Sequence, residues 1–179
     1  MIGSLKFILK MSEDIINRVA NSKLITLDLE DLYPFGDRVL IDIKGWLFED
    51  LILKEADFRT SINEHDWQQY NQKYVALTCS SEAIIPSWAY MLISTKLTGI
   101  AKKIVVGNFE ILETAIFQEL IANMDVSAFA GKPIILKGCA IKPIPQSAYT
   151  LLIEKLVPIV SNLMFGEACS TVPLYKFKK

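Results

Sequence analysis

A chain of 179 residues with 51% apolar and 22% charged side chains carries enough apolar material for one packed core, which excludes a disordered chain and a disulfide-dependent scaffold. A net charge of −1, from 19 basic and 20 acidic side chains, supplies no field to hold phosphate backbones or anionic lipid, so neither nucleic acid nor a membrane surface is an expected partner. The apolar runs stop short of the roughly 20 residues of a membrane span, and three widely spaced cysteines with no secretory signal ahead of them point to reduced thiols in the cytoplasm.

Residues 1–10 are apolar and basic and lack a cleavage site. Ser12 is a good N-cap, with Glu13 and Asp14 behind it, for a short helix whose apolar face is Ile15, Ile16 and Val19. Stretches 24–29 and 38–43 alternate apolar with polar on either side of the turn-like Tyr33-Pro34-Phe35-Gly36-Asp37, which predicts an antiparallel strand pair. A short strand is expected at 45–48. Ala56, Phe58 and Ile62 give helical spacing over 54–63, leaving His65 on or near a loop.

From Lys73 onward, strands at 74–78, 104–106 and 133–136 alternate with helices at 87–101, 110–123 and 146–164. That alternation requires right-handed crossovers and a parallel sheet. The expected fold is one α/β domain: a three-layer sandwich with a largely parallel C-terminal sheet and an antiparallel N-terminal β-rich portion. Pro158 should kink or interrupt the last helix, and the tail from Gly166 should run over the surface.

One unit recurs. Val75-Ala76-Leu77-Thr78-Cys79 followed by Ile85-Pro86-Ser87-Trp88-Ala89-Tyr90 resembles Ile135-Leu136-Lys137-Gly138-Cys139 followed by Ile144-Pro145-Gln146-Ser147-Ala148-Tyr149. The prolines are helix starters, since the first turn has no use for their missing N–H. Helix-start chemistry leaves unexplained a cysteine at the carboxyl end of each strand, the edge at which open α/β sheets bind ligands. Cys169, with Pro173 and Tyr175 behind it, is a weaker echo.

Cys79, Cys139, Cys169 and the one histidine, His65, would together make a Cys₃His set suited to zinc or iron. The C-x-x-C pairing usual in such sites is missing. Two other readings stay open: a thiol-dependent enzyme or sulfur carrier using one cysteine, and a non-catalytic interaction module with all of them buried. Asn63-Glu64-His65-Asp66-Trp67 sets carboxylates beside the imidazole, and Glu82, Lys142 and Glu167 lie in the cysteine loops as candidate acid, base or anion contacts. Trp46, Trp67 and Trp88 with Phe35, Phe48 and Phe58 would line a pocket or fill the core. No nucleotide-binding glycine motif and no nucleophile elbow is present.

Ile16-Asn17-Arg18-Val19-Ala20-Asn21-Ser22-Lys23-Leu24, Trp46-Leu47-Phe48-Glu49, His65-Asp66-Trp67, Ile85-Pro86-Ser87-Trp88-Ala89-Tyr90-Met91 and the stretch from Gly166 to Lys176 resemble the uncharacterised DUF2480 family. The resemblance implies that residues 1–10 are an extension ahead of a single domain over 11–179. It also implies an association with the sulfur-mobilising system of iron–sulfur assembly, and so an accessory metal or thiol role with a protein partner there. It assigns no residue a function and leaves homo-oligomerisation open.

Overall fold

The computed structural model of the protein describes residues 24–137, 141–167 and 170–177. In chain order the elements are β1 (Ile25–Leu27), β2 (Arg38–Asp42), α1 (Glu55–Glu64), β3 (Tyr74–Thr78), α2 (Ser87–Leu97), β4 (Lys103–Val106), α3 (Phe109–Asn123), β5 (Pro133–Leu136), α4 (Gln146–Leu156), β6 (Asn162–Glu167) and β7 (Ser170–Lys176). They form two sheets. One has three strands in the order β2-β3-β4, all parallel; the other has four, β1-β5-β6-β7, with β7 antiparallel to β6. The mixed α/β class read from the sequence is the one observed. The helix expected before residue 22 lies outside the described residues.

The two N-terminal strands do not pair with each other. β1 pairs in parallel with β5, Ile25 against Ile134, and β2 pairs in parallel with β3, Arg38 against Tyr74. The segment between them leads from one sheet to the other instead of closing a hairpin, and within it the Arg38 guanidinium gathers the carbonyls of Pro34 (2.9 Å) and Gly36 (2.6 Å). Parallel pairing buries both faces of a strand. Val75, Ala76 and Leu77 of β3 are accordingly all buried.

The recurring sequence unit is the visible part of a longer structural duplication. Tyr74 and Pro133 begin β3 and β5, Ser87 and Gln146 begin α2 and α4, and Lys103 and Asn162 begin β4 and β6, each pair 59 residues apart. At the same spacing, Gln72 and Gly131 both have positive φ (58° and 69°) and donate N–H to Ile100 O and Ile159 O (2.9 and 2.8 Å). The half made of β2, α1, β3, α2 and β4 therefore matches the half made of β1, α3, β5, α4 and β6. In this register Cys139 corresponds to Ser80 and Cys79 to Gly138, one residue away from the alignment that the cysteines themselves suggest.

α3 lies between the two sheets. Leu112 and Ile116 pack with Ala76, Tyr74 and Val105 of the three-stranded sheet, while Phe117 and Ile121 join Ile134, Leu136, Leu152 and Leu163 around the four-stranded one. The other face of the three-stranded sheet is closed by Phe58 and Ile62 of α1 and by Ala89, Ile93 and Leu97 of α2. Helices thus cover both faces of that sheet, but the described strands form two sheets where a three-layer sandwich has one. Three further expectations change. α4 ends at Leu156, ahead of Pro158, which cannot donate a helical hydrogen bond. Residues expected in that helix and in an irregular tail instead form the β6–β7 hairpin. The strand expected at 45–48 is not formed; a 3-10 turn over Ile43–Trp46 takes up its first half.

Candidate functional site

The parallel strands end on loops that carry most of the chemistry-bearing residues, and each half anchors those loops through an aspartate. Asp42, at the end of β2, accepts the N–H groups of Lys44 (3.0 Å) and Ser80 (3.1 Å). Asp28, in the matching place after β1, accepts the N–H of Glu30 (2.9 Å) and pairs with Lys137 Nζ at 2.6 Å. Ser80, then Lys44, hold the Asp42 carboxyl below its ordinary range against burial. Burial pushes Asp28 up, but Lys137 and the Glu30 N–H outweigh it and the net shift is downward. Glu30 in turn accepts the N–H groups of Ile141 and Lys142, tying the loop after β5 to β1.

Of the four residues singled out for metal, the described structure places two, Cys79 and His65. Cys79 ends β3, is half-buried against the three-stranded sheet's core, and has its Sγ 3.2 Å from Ser81 Oγ. Burial, then the charges of Cys79 and Asp42, raise the pKa of neighbouring Tyr90. His65 caps the end of α1 inside an aromatic box: edge-on to Trp46 and Trp67 and stacked on Tyr70. Its Nε2 lies 2.8 Å from the Tyr70 hydroxyl and 3.4 Å from Gln69 Nε2. Burial depresses its pKa, only partly opposed by Asp66. Cys139 and Cys169 lie outside the described residues. Among the described residues no group of three or more His, Cys, Asp or Glu side chains is arranged to hold a metal ion.

The remaining candidates resolve individually. Asn63 Oδ1 accepts from Lys96, and Asp66 caps the 3-10 turn that follows it. Trp46, Trp67, Trp88 and Phe58 pack edge to face in the core, whereas Phe35 is 97% exposed. Glu82 is exposed in its loop. Lys142 reaches Glu30 O and faces the Tyr33 ring. Glu167 ends β6, close enough to contribute to the raised pKa of Lys137, whose main cause is Asp28.

One concavity involves residues that the sequence did not single out as functional. A cleft of about 680 Å³ opens between the starts of α3 and α4, walled by Phe109, Pro143, Ile144 and Pro145 and by Tyr33, with Glu110, Glu113, Arg38 and Gln146 as its polar groups. Glu113 is 4% exposed; it accepts from Arg38 Nε (2.7 Å) and from the Tyr33 hydroxyl (2.8 Å). Arg38 is sandwiched between the Tyr33 and Tyr74 rings, 4.2 and 4.7 Å from their centres. Burial, then the Glu113 hydrogen bond, pushes the Tyr33 phenol up to about 12. The available signal was Glu113 itself, a carboxylate among the inward apolar positions of α3.

No curated protein and no solved structure matches the chain. The family model described as "Protein of unknown function (DUF2480)" matches residues 13–177, a span that includes every strand and helix described above, and the chain belongs to that family.

Proposed function

We propose that the protein binds a small amphiphilic molecule in the cleft between α3 and α4, its apolar body against Phe109, Ile144 and Pro145 and a cationic or proton-donating head toward Glu110. The observation that carries this is the charge balance of the lining. It holds two carboxylates and one cation, Arg38, and that guanidinium is already engaged by Glu113 and two backbone carbonyls, so Glu110 is the charged side chain left for a ligand and favours a cation over an anion. The volume falls within the range of small-ligand sites, and the cleft follows the carboxyl ends of β4 and β5, where α/β folds bind ligands. Titration of isotope-labelled protein with phenethylamine, phenethyl alcohol and phenylpropionate tests it. Amide shifts should centre on 109–113 and 143–146, with the amine about tenfold tighter than the alcohol and that advantage reduced in Glu110→Gln. Equal affinity for all three probes, or shifts elsewhere, would overturn it.

A second reading keeps the accessory metal or iron–sulfur assembly role, in a reducing cytoplasm and with a protein partner. What supports it is that the segments bearing Cys139 and Cys169 follow β5 and β6, parallel neighbours whose described ends, Lys137 and Glu167, interact. Among the described residues no helix is long and apolar enough to cross a membrane. Metal analysis of untagged protein purified without oxygen should find zinc or iron that is lost in Cys139→Ser and Cys169→Ser and kept in Cys79→Ser and His65→Ala. Less than about a tenth of an equivalent in the unsubstituted protein removes this reading.

A further inference from the structure

The duplication leaves one position filled in the second half and open in the first. In the second half, β7 pairs antiparallel with the outer side of β6, and its Tyr175 joins Ile144, Tyr149, Ile153, Val157 and Phe165 among the partly buried side chains packed against the core of that half. The matching residues of the first half, 59 positions earlier, are Ile85, Tyr90, Ser94, Thr98 and Val106. These line, with Met91, an open groove of about 610 Å³ between α2 and β4. Among the described residues no strand pairs with the outer side of β4. Gly107 N–H is donated inward to Leu77 O, so strand alternation turns the Val106 N–H outward. Val106 and Met91 are 51% and 65% exposed.

We propose that this edge is a homodimer interface in which β4 of one chain pairs antiparallel with β4 of a second, making a continuous six-stranded sheet with the same residues of both copies filling the two grooves. Three observations favour a second copy of this chain over a foreign strand. A two-fold axis through the edge pairs identical strands antiparallel, the polarity that β7 adopts on β6. The groove lining contains no charged side chain, so it meets itself without like-charge repulsion. The one charge on β4, Lys103, is drawn to Glu119 at 2.6 Å and does not guard the edge as an edge lysine otherwise would.

Sedimentation and light scattering on the full chain, from about 1 to 100 µM, test the proposal. The expected mass is twice the 20.2 kDa of one chain. Met91→Arg and Val106→Pro, both at exposed positions and the latter removing only an outward N–H, should each weaken association at least about tenfold with an unchanged circular dichroism spectrum. Val172→Arg on the outer face of β7 should leave the dimer intact. A monomer throughout the range, or a dimer broken by Val172→Arg and not by the two β4-side substitutions, overturns it.

Discussion

Glu113 shares the inner side of α3 with Leu112, Ile116 and Phe117, and a carboxylate is tolerable there because Arg38 and Tyr33 both reach it. Removing one member of a buried pair strands the other, so Glu113→Ala should cost about 3 kcal/mol in urea unfolding. The same urea series carried to high pH reads Tyr33. Its folded pKa, about 12, lies above the ordinary 10.0, so between those values the unfolded chain releases a proton that the folded chain keeps. Stability from this group is fully present below pH 10.0 and lost as pH rises toward 12, and Tyr33→Phe should lack that alkaline loss. Only Glu113 left a mark in the sequence, as a carboxylate among the inward apolar positions of α3, and the cluster stayed hidden because one glutamate in a helix reads as solvated and its arginine partner is 75 residues away. Cys79 and His65 were more legible, since the end of a short apolar run and of a helical spacing locate them. Nothing local foretold that Trp46, Trp67 and Tyr70 would enclose the histidine.

Elements set by local chemistry were read well. β3 and β5 begin and end where their apolar runs do, and α2 and α4 start directly after Pro86 and Pro145, whose extended backbone serves as the N-cap. Elements set by distant partners were not. β1 and β2 alternate as solvent-facing antiparallel strands do, but each has its partner beyond the neighbouring segment, and β6 was absorbed into α4 because its apolar spacing continues the helical one past Pro158. The join from β4 to α3 is set locally. Gly107 has φ +141°, a Cβ there would strike the Ile111 side chain, and Asn108 Oδ1 then accepts the Ile111 N–H at 3.0 Å. Gly166, 59 residues later, has φ +123°. Gly107→Ala should lower stability by about 2 kcal/mol in thermal or urea unfolding, with the loss carried by backbone strain and crowding together.

The duplication was half visible, as a cysteine, a proline and an Ala-Tyr pair at nearly constant spacing. Aligning the cysteines put the halves one residue out of register, and the first strand of each half escaped notice because their spacing is 14 residues, Ile25 matching Val39. The halves do not follow one another along the chain. β1 belongs to the second half, yet the whole first half stands between it and α3, so no single cut yields two self-sufficient pieces. The order also bears on synthesis. Every strand of the three-stranded sheet has been made by residue 106, so that sheet can assemble on the nascent chain, whereas β1 waits for β5 and residue 134. So long a loop should close late in folding, and until it does β1 lacks its only described neighbour.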